Sequence, residues 1–315
     1  MNFYLAPLEG VTGHVFREAY DLFYGEVNKY FTPFISANDH LNSKTIRELD
    51  GNLLKKPLVP QILGNDADKI TATISEIRDH CGADTYNLNF GCPSGTVTAK
   101  GRGSGILKDL IAMDDMLDKL FNRLEDMGVR LSLKTRIGWA DEKEWPDIVR
   151  IYADYPFEEI IIHPRVRADQ YSGGIKKNAV EYALTHLRVP ICYNGDIKTR
   201  EDYVVLCKLF PDISSVMIGR GLVRNPNLCG EIIHPYENAP EIGRQNKYKF
   251  IEALEQGYLE EMSCEEHAVM RLKEFWLYFG DSVLGFETEK KDIKKAKTLR
   301  EYKIAARTIM SKGMQ

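Results

Sequence analysis

The sequence predicts an α/β fold, a (β/α)8 TIM barrel followed by a C-terminal helical-bundle domain. Short apolar, β-branched segments recur eight times, helical patterning separates them, and no strand-like segment occurs after residue 243. Alternating strands and helices form parallel βαβ units, and eight such units close into a barrel. A doubly wound open sheet is the alternative, and it is disfavoured because no G-x-G-x-x-G motif follows the first strand.

The eight predicted strands cover residues 3–7, 28–34, 58–63, 84–90, 131–136, 159–163, 189–193 and 214–218. Residues 66–80 carry isoleucines at helical spacing, and Asp66 is placed to cap the helix that this spacing predicts. A second helix is predicted at residues 111–127, where Gly128 is a natural stop.

Three further helices are predicted at residues 245–261, 264–279 and 289–311. We therefore expect a catalytic barrel domain over residues 1–235 and a helical domain over residues 236–315.

Composition limits the function classes. The 315 residues are 43% hydrophobic and 28% charged, as in soluble globular proteins, and the net charge of −4 does not indicate a nucleic-acid-binding protein. No segment approaches the ~18–20 apolar residues of a membrane helix, and MNFYLAPLEG does not resemble a signal peptide. The six cysteines form no C-x-x-C pair, so we expect no metal site, no disulfide framework and a cytoplasmic location.

The charge is unevenly distributed. Residues 1–235 carry the whole net charge of −4, whereas residues 290–312 hold nine Lys and Arg against Asp292 and Glu301. A solvated helix face is the usual explanation of such a run, and a surface that contacts phosphates is the alternative.

Polar residues follow the predicted strands at their C-terminal ends, where a barrel of this type carries its chemistry. Each has a structural explanation on its own, but together they predict a site at this end of the barrel. They lie in the segments 6–10, 61–64, 87–93, 134–136, 163–165, 194–196 and 219–221.

The last two of these segments predict a phosphate site. Asn194-Gly195-Asp196 and Gly219-Arg220-Gly221 combine small residues with an arginine, which suits close backbone approach and a bidentate contact to an anion. Lys134 requires an anionic partner at the barrel mouth, which either a flavin or Glu9 could provide.

Cys92 lies in a loop flanked by glycine and proline, where a protonated thiol could donate a proton. The glycine-rich, basic segment that follows, residues 95–105, is predicted either as a flexible lid over substrate or as a plain surface loop.

Seven motifs, in this order, resemble those of the flavin-dependent tRNA-dihydrouridine synthases over essentially the whole chain. They are APLEGVTG, QILGND, NLNFGCPSGTVTAKGRGSGIL, LKTRIGW, HPRVRADQYSG, NGDI and MIGRGLVRNP. The resemblance implies an FMN-containing barrel and a helical domain that binds tRNA. It also implies that NADPH or NADH reduces FMN, and that hydride then passes to C6 of a uridine while Cys92 protonates C5.

Carried over position by position, the resemblance assigns Cys92 as the catalytic proton donor. The residues expected to bind FMN are Pro7, Leu8, Glu9, Gln61, Lys134, His163, Asn194, Gly195, Asp196, Gly219 and Arg220. The residues expected to contact the substrate are Asn89, Arg136, Lys100 and Arg102.

The chain also departs from the family pattern. The expected H-G-R-T reads His163-Pro164-Arg165-Val166, and Ser94-Gly95 replaces a Lys-Val pair. An FMN-dependent oxidoreductase acting on a small pyrimidine-like molecule is the alternative enzyme, and a non-catalytic RNA-binding protein is the third interpretation. We expect a monomer without a membrane partner. The position of the modified uridine, the choice between tRNA and ribosomal RNA, and the choice between NADPH and NADH remain open.

Overall fold

The computed structural model describes residues 1–37, 40–51, 53–235, 239–283 and 285–313, without the side chains of residues 239–245 and 313. The strands are β1 (Asn2–Leu5), β2 (Tyr30–Phe31), β3 (Ile35–Ser36), β4 (Leu58–Val59), β5 (Gln61–Leu63), β6 (Thr85–Phe90), β7 (Arg130–Arg136), β8 (Ile160–His163), β9 (Ile191–Tyr193) and β10 (Ser215–Ile218).

The helices alternate with these strands and then continue alone. They are α1 (His14–Phe23), α2 (Ser43–Leu49), α3 (Ala67–Cys81), α4 (Gly95–Thr98), α5 (Leu110–Leu124), α6 (Trp145–Ala153), α7 (Lys177–His186), α8 (Arg200–Leu209), α9 (Arg220–Arg224), α10 (Leu228–Ile233), α11 (Ala239–Glu261), α12 (Glu265–Phe279), α13 (Glu287–Lys295) and α14 (Leu299–Gly313). Short 3-10 helices cover Gly103–Lys108, Glu125–Met127, Glu142–Glu144 and Gly280–Ser282.

The strands form a closed parallel barrel. One sheet runs in the order β1-β10-β9-β8-β7-β6-β5-β3, and β2 pairs with β4 in a second short sheet. The Leu5 N–H donates to the Lys29 carbonyl over 3.3 Å, which joins β1 to the chain just before β2. Since β2 and β3 are consecutive parts of one barrel strand, and β4 and β5 of the next, the predicted (β/α)8 barrel is confirmed.

The second and third predicted strands are each divided in two, and proline explains both divisions. Pro33 lies between β2 and β3, and Pro60 lies between β4 and β5. A proline has no N–H to donate to a strand ladder, so regular pairing stops there and resumes beyond it.

The helices predicted at residues 66–80 and 111–127 are confirmed. Asp66 accepts from the Lys69 N–H over 3.0 Å at the start of α3. Helix α5 ends in a 3-10 turn, and Gly128 stops it with φ +61.

The single helix predicted at residues 289–311 is wrong, because the structure has the two helices α13 and α14 there. The Thr298 hydroxyl accepts from the Glu301 N–H, and the Glu301 carboxylate accepts from the N–H groups of Lys297 and Thr298. This reciprocal cap starts a new helix, since it satisfies N–H groups that a continuous helix would bond internally.

The C-terminal helices share a hydrophobic core with the barrel. Phe16 of α1 packs against Phe250 of α11 and Phe275 of α12, with ring centroids 5.5 and 6.3 Å apart. The expected domain boundary after residue 235 adjoins residues 236–238, which lie outside the described residues. No helix among those that the structure describes is long and apolar enough to span a membrane.

A group of charged side chains lies where α1 and α2 meet α11. His14 Nδ1 lies 3.7 Å from Glu48 Oε1, and His14 Nε2 lies 3.5 Å from Glu261 Oε2. Burial alone would lower the pKa of His14, but the two carboxylates outweigh burial and raise it above 6.5. Only a protonated imidazole carries the charge that both carboxylates attract.

We predict that this contact stabilises the protein most at low pH. The raised pKa means that its contribution is complete below pH 6.5 and disappears as the pH rises through the pKa of folded His14. His14→Gln should therefore lower the free energy of unfolding by up to about 1 kcal/mol at pH 6 and by less at pH 9. Thermal denaturation across this range measures the difference. The same substitution at the exposed His80 is the control, and equal losses for His14→Gln at both pH values would contradict the prediction.

Candidate functional site

A cavity opens at the C-terminal ends of the barrel strands. Every site residue predicted from the sequence lines it except Lys100 and Arg102. The lining residues are Ala6, Pro7, Leu8, Glu9, Phe34, Gln61, Asn89, Gly91, Cys92, Pro93, Lys134, Arg136, His163, Tyr171, Asn194, Gly195, Asp196, Ile197, Lys198, Gly219, Arg220 and Gly221.

Residues 6–12, which we call the first barrel loop, form one wall of the cavity. The loop is organised around Thr12, which is fully buried. The Thr12 hydroxyl accepts from the Leu8 N–H over 2.7 Å and donates to the Ala6 carbonyl over 3.1 Å. Sequence reasoning missed Thr12, because a threonine after a glycine-containing turn gives no sign that its hydroxyl holds that turn together.

Four polar side chains in the barrel interior form a hydrogen-bonded relay. The Asn89 amide donates to Gln61 Oε1 over 2.7 Å, and Gln61 Nε2 donates to Asn87 Oδ1 over 2.7 Å. The Asn87 amide then donates to Ser132 Oγ over 2.9 Å. The relay fixes the orientation of the Gln61 amide, whose Nε2 retains a second hydrogen for a ligand.

The backbone of Cys92 is held from both sides. Asn89 Oδ1 accepts from the N–H groups of Gly91 and Cys92 over 3.1 and 2.9 Å. On the other side, the backbone N–H and the hydroxyl of Ser104 donate to the Cys92 carbonyl over 3.0 and 2.8 Å. Burial raises the pKa of the Cys92 thiol, so the thiol is protonated at neutral pH.

The end of the segment predicted as a flexible lid or a surface loop is packed against Cys92, whereas its beginning is exposed. It folds as α4 and a 3-10 helix, and Gly103, Ser104 and Gly105 are buried. Gly103 has φ +57, and a Cβ there would lie 2.8 Å from the Cys92 carbonyl oxygen. The glycines therefore allow close packing. Lys100 is exposed and Arg102 is partly buried, and both lie on this segment, outside the cavity lining.

Lys134 and Arg136 give the cavity a positive potential. Burial, followed by the nearby Arg136, lowers the pKa of Lys134 to about 8. No carboxylate of the described residues lies within ion-pair distance of Lys134, and the alternative partner Glu9 pairs with Lys44 at 3.4 Å. The Arg136 guanidinium donates to the carbonyls of Gly91 and Val166, each over 2.9 Å, so it also ties two rim loops together.

His163 is neutral in this setting. Burial and the surrounding cations lower its pKa well below 6.5. Arg165 Nη1 lies 3.2 Å from His163 Nε2. Because a guanidinium only donates, Nε2 accepts and the ring proton is on Nδ1.

Asp196 is engaged by two arginines. Its carboxylate accepts from Arg165 Nη2 over 2.6 Å and from Arg220 Nη2 over 2.9 Å, which places Arg220 at the cavity. The Asp196 carboxylate would repel a phosphate. If Asp196 binds an anion, the group that does so is therefore its backbone N–H. The Asn194 amide donates to the Met217 carbonyl over 2.8 Å and so joins the loop at residues 194–196 to strand β10.

The glycines of these two loops leave no space for side chains. A Cβ at Gly195 would lie 2.1 Å from Tyr193 Oη, and one at Gly221 would lie 2.1 Å from the Ile197 carbonyl oxygen. A Cβ at Gly219 would lie 3.2 Å from that of Ala6. The glycines therefore let these loops pack closely on the barrel, and glycine-containing loops at strand ends are typical of anion sites.

Tyr171 is a cavity residue that sequence reasoning did not single out. Two guanidinium groups lie over its ring. The distance to the ring centroid is 4.8 Å from Arg220 Cζ and 5.4 Å from Arg136 Cζ. The side chain is 52% exposed and faces the cavity mouth. The sequence does contain a sign of this role, because Tyr171 is an aromatic residue in an otherwise polar loop that follows a barrel strand.

Together these groups suit a planar ligand that carries a phosphate. The first barrel loop offers an apolar wall, Gln61 offers a hydrogen-bond donor and Lys134 offers a cation. Gly195, Gly219 and Gly221, which we call the glycine rim, offer an anion site together with Arg220. A protonated thiol lies in the same cavity.

A family model described as dihydrouridine synthase (Dus) matches residues 4–306. A protein of Staphylococcus aureus (strain COL), named probable tRNA-dihydrouridine synthase, is 30% identical over 234 residues, which cover 71% of this chain and 69% of that protein. A protein of Neisseria meningitidis serogroup B, named tRNA-dihydrouridine(16) synthase, is 28% identical over 242 residues, covering 74% and 71%. Morphinone reductase is similar in structure, with a TM-score of 0.52 at 9% identity over 77% of this chain and 88% of that chain, which supports the fold alone.

We predict that Gly221→Ala destabilises the protein, because the new Cβ would overlap the Ile197 carbonyl oxygen. The expected loss in the free energy of unfolding is about 1–3 kcal/mol, as for other overpacked positions. Urea denaturation measures it. Gly174→Ala is the matched control, since a Cβ at Gly174 meets no described atom within 4 Å. Equal stabilities of the two variants would contradict the prediction.

Proposed function

The chain belongs to the dihydrouridine synthase family, and from this premise we propose that it reduces the 5,6 double bond of particular uridines in tRNA with FMN and NADPH or NADH. The family membership makes it an oxidoreductase. The tRNA named in the relatives' descriptions supports the choice of substrate. The single observation that carries the proposal is the clamped, protonated Cys92 in one cavity with Gln61 and Lys134.

The cavity residues fit FMN. Arg220 and the backbone N–H groups of the glycine rim would hold the phosphate, and the first barrel loop would lie against the isoalloxazine ring. The unpaired Lys134 ammonium and the free Gln61 N–H would bind the electron-rich edge of the ring. Bound FMN supplies hydride transfer to an electron-poor double bond, with NADPH or NADH as the source of electrons.

The protein's own groups would supply the proton and the orientation. Saturation of the uracil ring takes a hydride at C6 and a proton at C5, and we assign the proton to Cys92 Sγ. Its raised pKa keeps the proton available at neutral pH. Lys134, with a pKa of about 8, is mostly charged at pH 7, and an anionic ligand would hold it charged.

Asn89 and Arg136 shape the space next to the thiol. Asn89 Oδ1 is occupied by the backbone of Gly91 and Cys92, so Asn89 would act on substrate mainly by positioning Cys92. Arg136 is buried and would border the uracil from the rim. His163, with its proton on Nδ1, offers a neutral donor.

The substrate base would have to leave the stacked RNA to enter this cavity, at a cost of a few kcal/mol. Contacts to the RNA backbone can offset this cost. The structure offers a surface for such contacts on α13, α14 and their junction, which we call the basic surface. Its exposed side chains are Lys291, Lys294, Lys295, Lys297, Arg300, Arg307 and Lys312.

Residues 1–235 would then serve as the catalytic domain and residues 236–315 as the RNA-binding domain, with Lys100 and Arg102 as further RNA contacts near the cavity. We propose that the protein acts as a monomer. We propose a cytoplasmic location, which a tRNA substrate would favour. An FMN-dependent oxidoreductase of small pyrimidines would use the same cavity without needing the basic surface.

We predict that Cys92→Ala abolishes the modification while leaving the cofactor bound. Loss of the proton donor should slow dihydrouridine formation by about 100-fold or more, whereas FMN released on denaturation should match the wild type. Mapping dihydrouridine in RNA from cells that carry each variant gives the readout.

Cys81→Ala, at an exposed cysteine, is the control for this experiment. Full modification by Cys92→Ala would contradict the catalytic assignment. A wild-type protein that cannot be reconstituted with FMN would contradict both enzyme hypotheses.

The basic surface provides a second test. Lys294→Glu with Lys295→Glu should weaken tRNA binding and reduce the salt slope of log K by about one for each phosphate that the protein no longer neutralises. Oxidation of NADPH without RNA should not change. The matched control is Lys119→Glu with Lys208→Glu, at exposed lysines on barrel helices. Undiminished tRNA binding by the first variant would favour the small-molecule oxidoreductase.

A further inference from the structure

The first barrel loop, which forms the cofactor wall, is also held from outside the barrel. Arg271 Nη1 of α12 donates to the Gly10 carbonyl over 3.3 Å. The same nitrogen donates to Glu274 Oε2 over 2.8 Å, so the guanidinium is fixed on its own helix before it reaches the loop.

Helix α12 lies directly against the loop backbone. Gly10 has φ +80, and a Cβ there would lie 3.1 Å from Glu274 Oε2 and 3.2 Å from Arg271 Nη1. One residue further along, the Tyr258 hydroxyl of α11 lies 3.5 Å from the Val11 carbonyl oxygen. Two C-terminal helices therefore contact two successive carbonyls of one loop.

Among the described residues, the loop has one ion pair on that side, between Glu9 and Lys44 at 3.4 Å, and both of these side chains are exposed. A second cavity opens between the loop and the C-terminal helices, and its lining includes Glu9, Gly10, Lys44 and Arg271. The Thr12 hydroxyl braces the loop only from within, through Ala6 and Leu8. Because a cavity adjoins the loop here, the hydrogen bond from Arg271, the shorter of the two from the C-terminal helices, acts as an outer tether.

We propose that Arg271 is a positioning residue for the cofactor site, which holds the first barrel loop in the conformation that binds FMN. The inference rests on the proposed function, since it takes FMN as the ligand. The proposal gives α12 a role in flavin binding, in addition to any role in RNA binding. Without the tether, part of the binding free energy would be used to order Pro7, Leu8 and Glu9, and the apparent affinity would fall.

The test compares Arg271→Met with Arg271→Lys and with the control Lys273→Met. Lys273 lies on the same helix and also donates to a carbonyl, that of Ala296 over 2.8 Å, but it faces the α13–α14 junction. The control therefore loses the same kind of bond without touching the loop. The readouts are the FMN dissociation constant of the apoprotein, from quenching of flavin fluorescence, and amide hydrogen exchange of residues 6–12 without FMN.

We expect Arg271→Met to weaken FMN binding by about three- to ten-fold, the scale of one hydrogen bond, and to speed exchange in the loop. Arg271→Lys should fall between it and the wild type, and Lys273→Met should match the wild type in both readouts. Unchanged FMN affinity and exchange in Arg271→Met would overturn the proposal, even if its melting temperature fell.

A wild-type apoprotein that binds no FMN would instead count against the proposed function. In that case, hydrogen exchange alone still decides whether Arg271 holds the loop. Faster exchange in Lys273→Met than in Arg271→Met would assign the effect to general loosening of α12 and would also overturn the proposal.

Discussion

The site depends on one buried chain of hydrogen bonds, from Ser132 through Asn87 and Gln61 to Asn89. Polar side chains inside a barrel are favourable only when each finds a partner, because an unpaired buried amide costs about 1–3 kcal/mol. The relay meets this condition across three neighbouring strands, and its last member also bonds the backbone of Cys92. The backbone of Cys92 is therefore positioned by the same bonds that make the barrel interior stable.

A second constraint is that the positive charges at the rim of the cavity need negative partners. Asp196 compensates Arg165 and Arg220, but Lys134 has no carboxylate partner among the described residues. Its lowered pKa reflects the free energy needed to keep a charge in a partly dry cavity beside Arg136. An anionic ligand would remove this cost. The electrostatics of the cavity and the glycine rim therefore both favour an anionic ligand.

Sequence reasoning located the rim residues because barrel topology brings the ends of distant strands together, so that order along the chain was enough. It did not identify partners, which depend on three-dimensional contacts: the sequence gives no sign that the Asp196 carboxylate contacts both Arg165 and Arg220. It also did not reveal that Gly103 and Gly105 of the predicted lid segment pack closely against Cys92 and Thr98. The division of the last predicted helix could have been found, since Thr298 and Glu301 have the spacing of a capping box.

The contact between Gly10 and Arg271 spans most of the chain and has a consequence for biosynthesis. A ribosome makes the first barrel loop more than two hundred residues before the helix whose Arg271 donates to the Gly10 carbonyl. Domains usually fold as they emerge, N-terminal part first. Here the first barrel loop cannot contact α12, and Phe16 of α1 cannot pack against Phe250 and Phe275, before those residues have been synthesised. The nascent barrel therefore lacks these contacts until α11 and α12 have been synthesised.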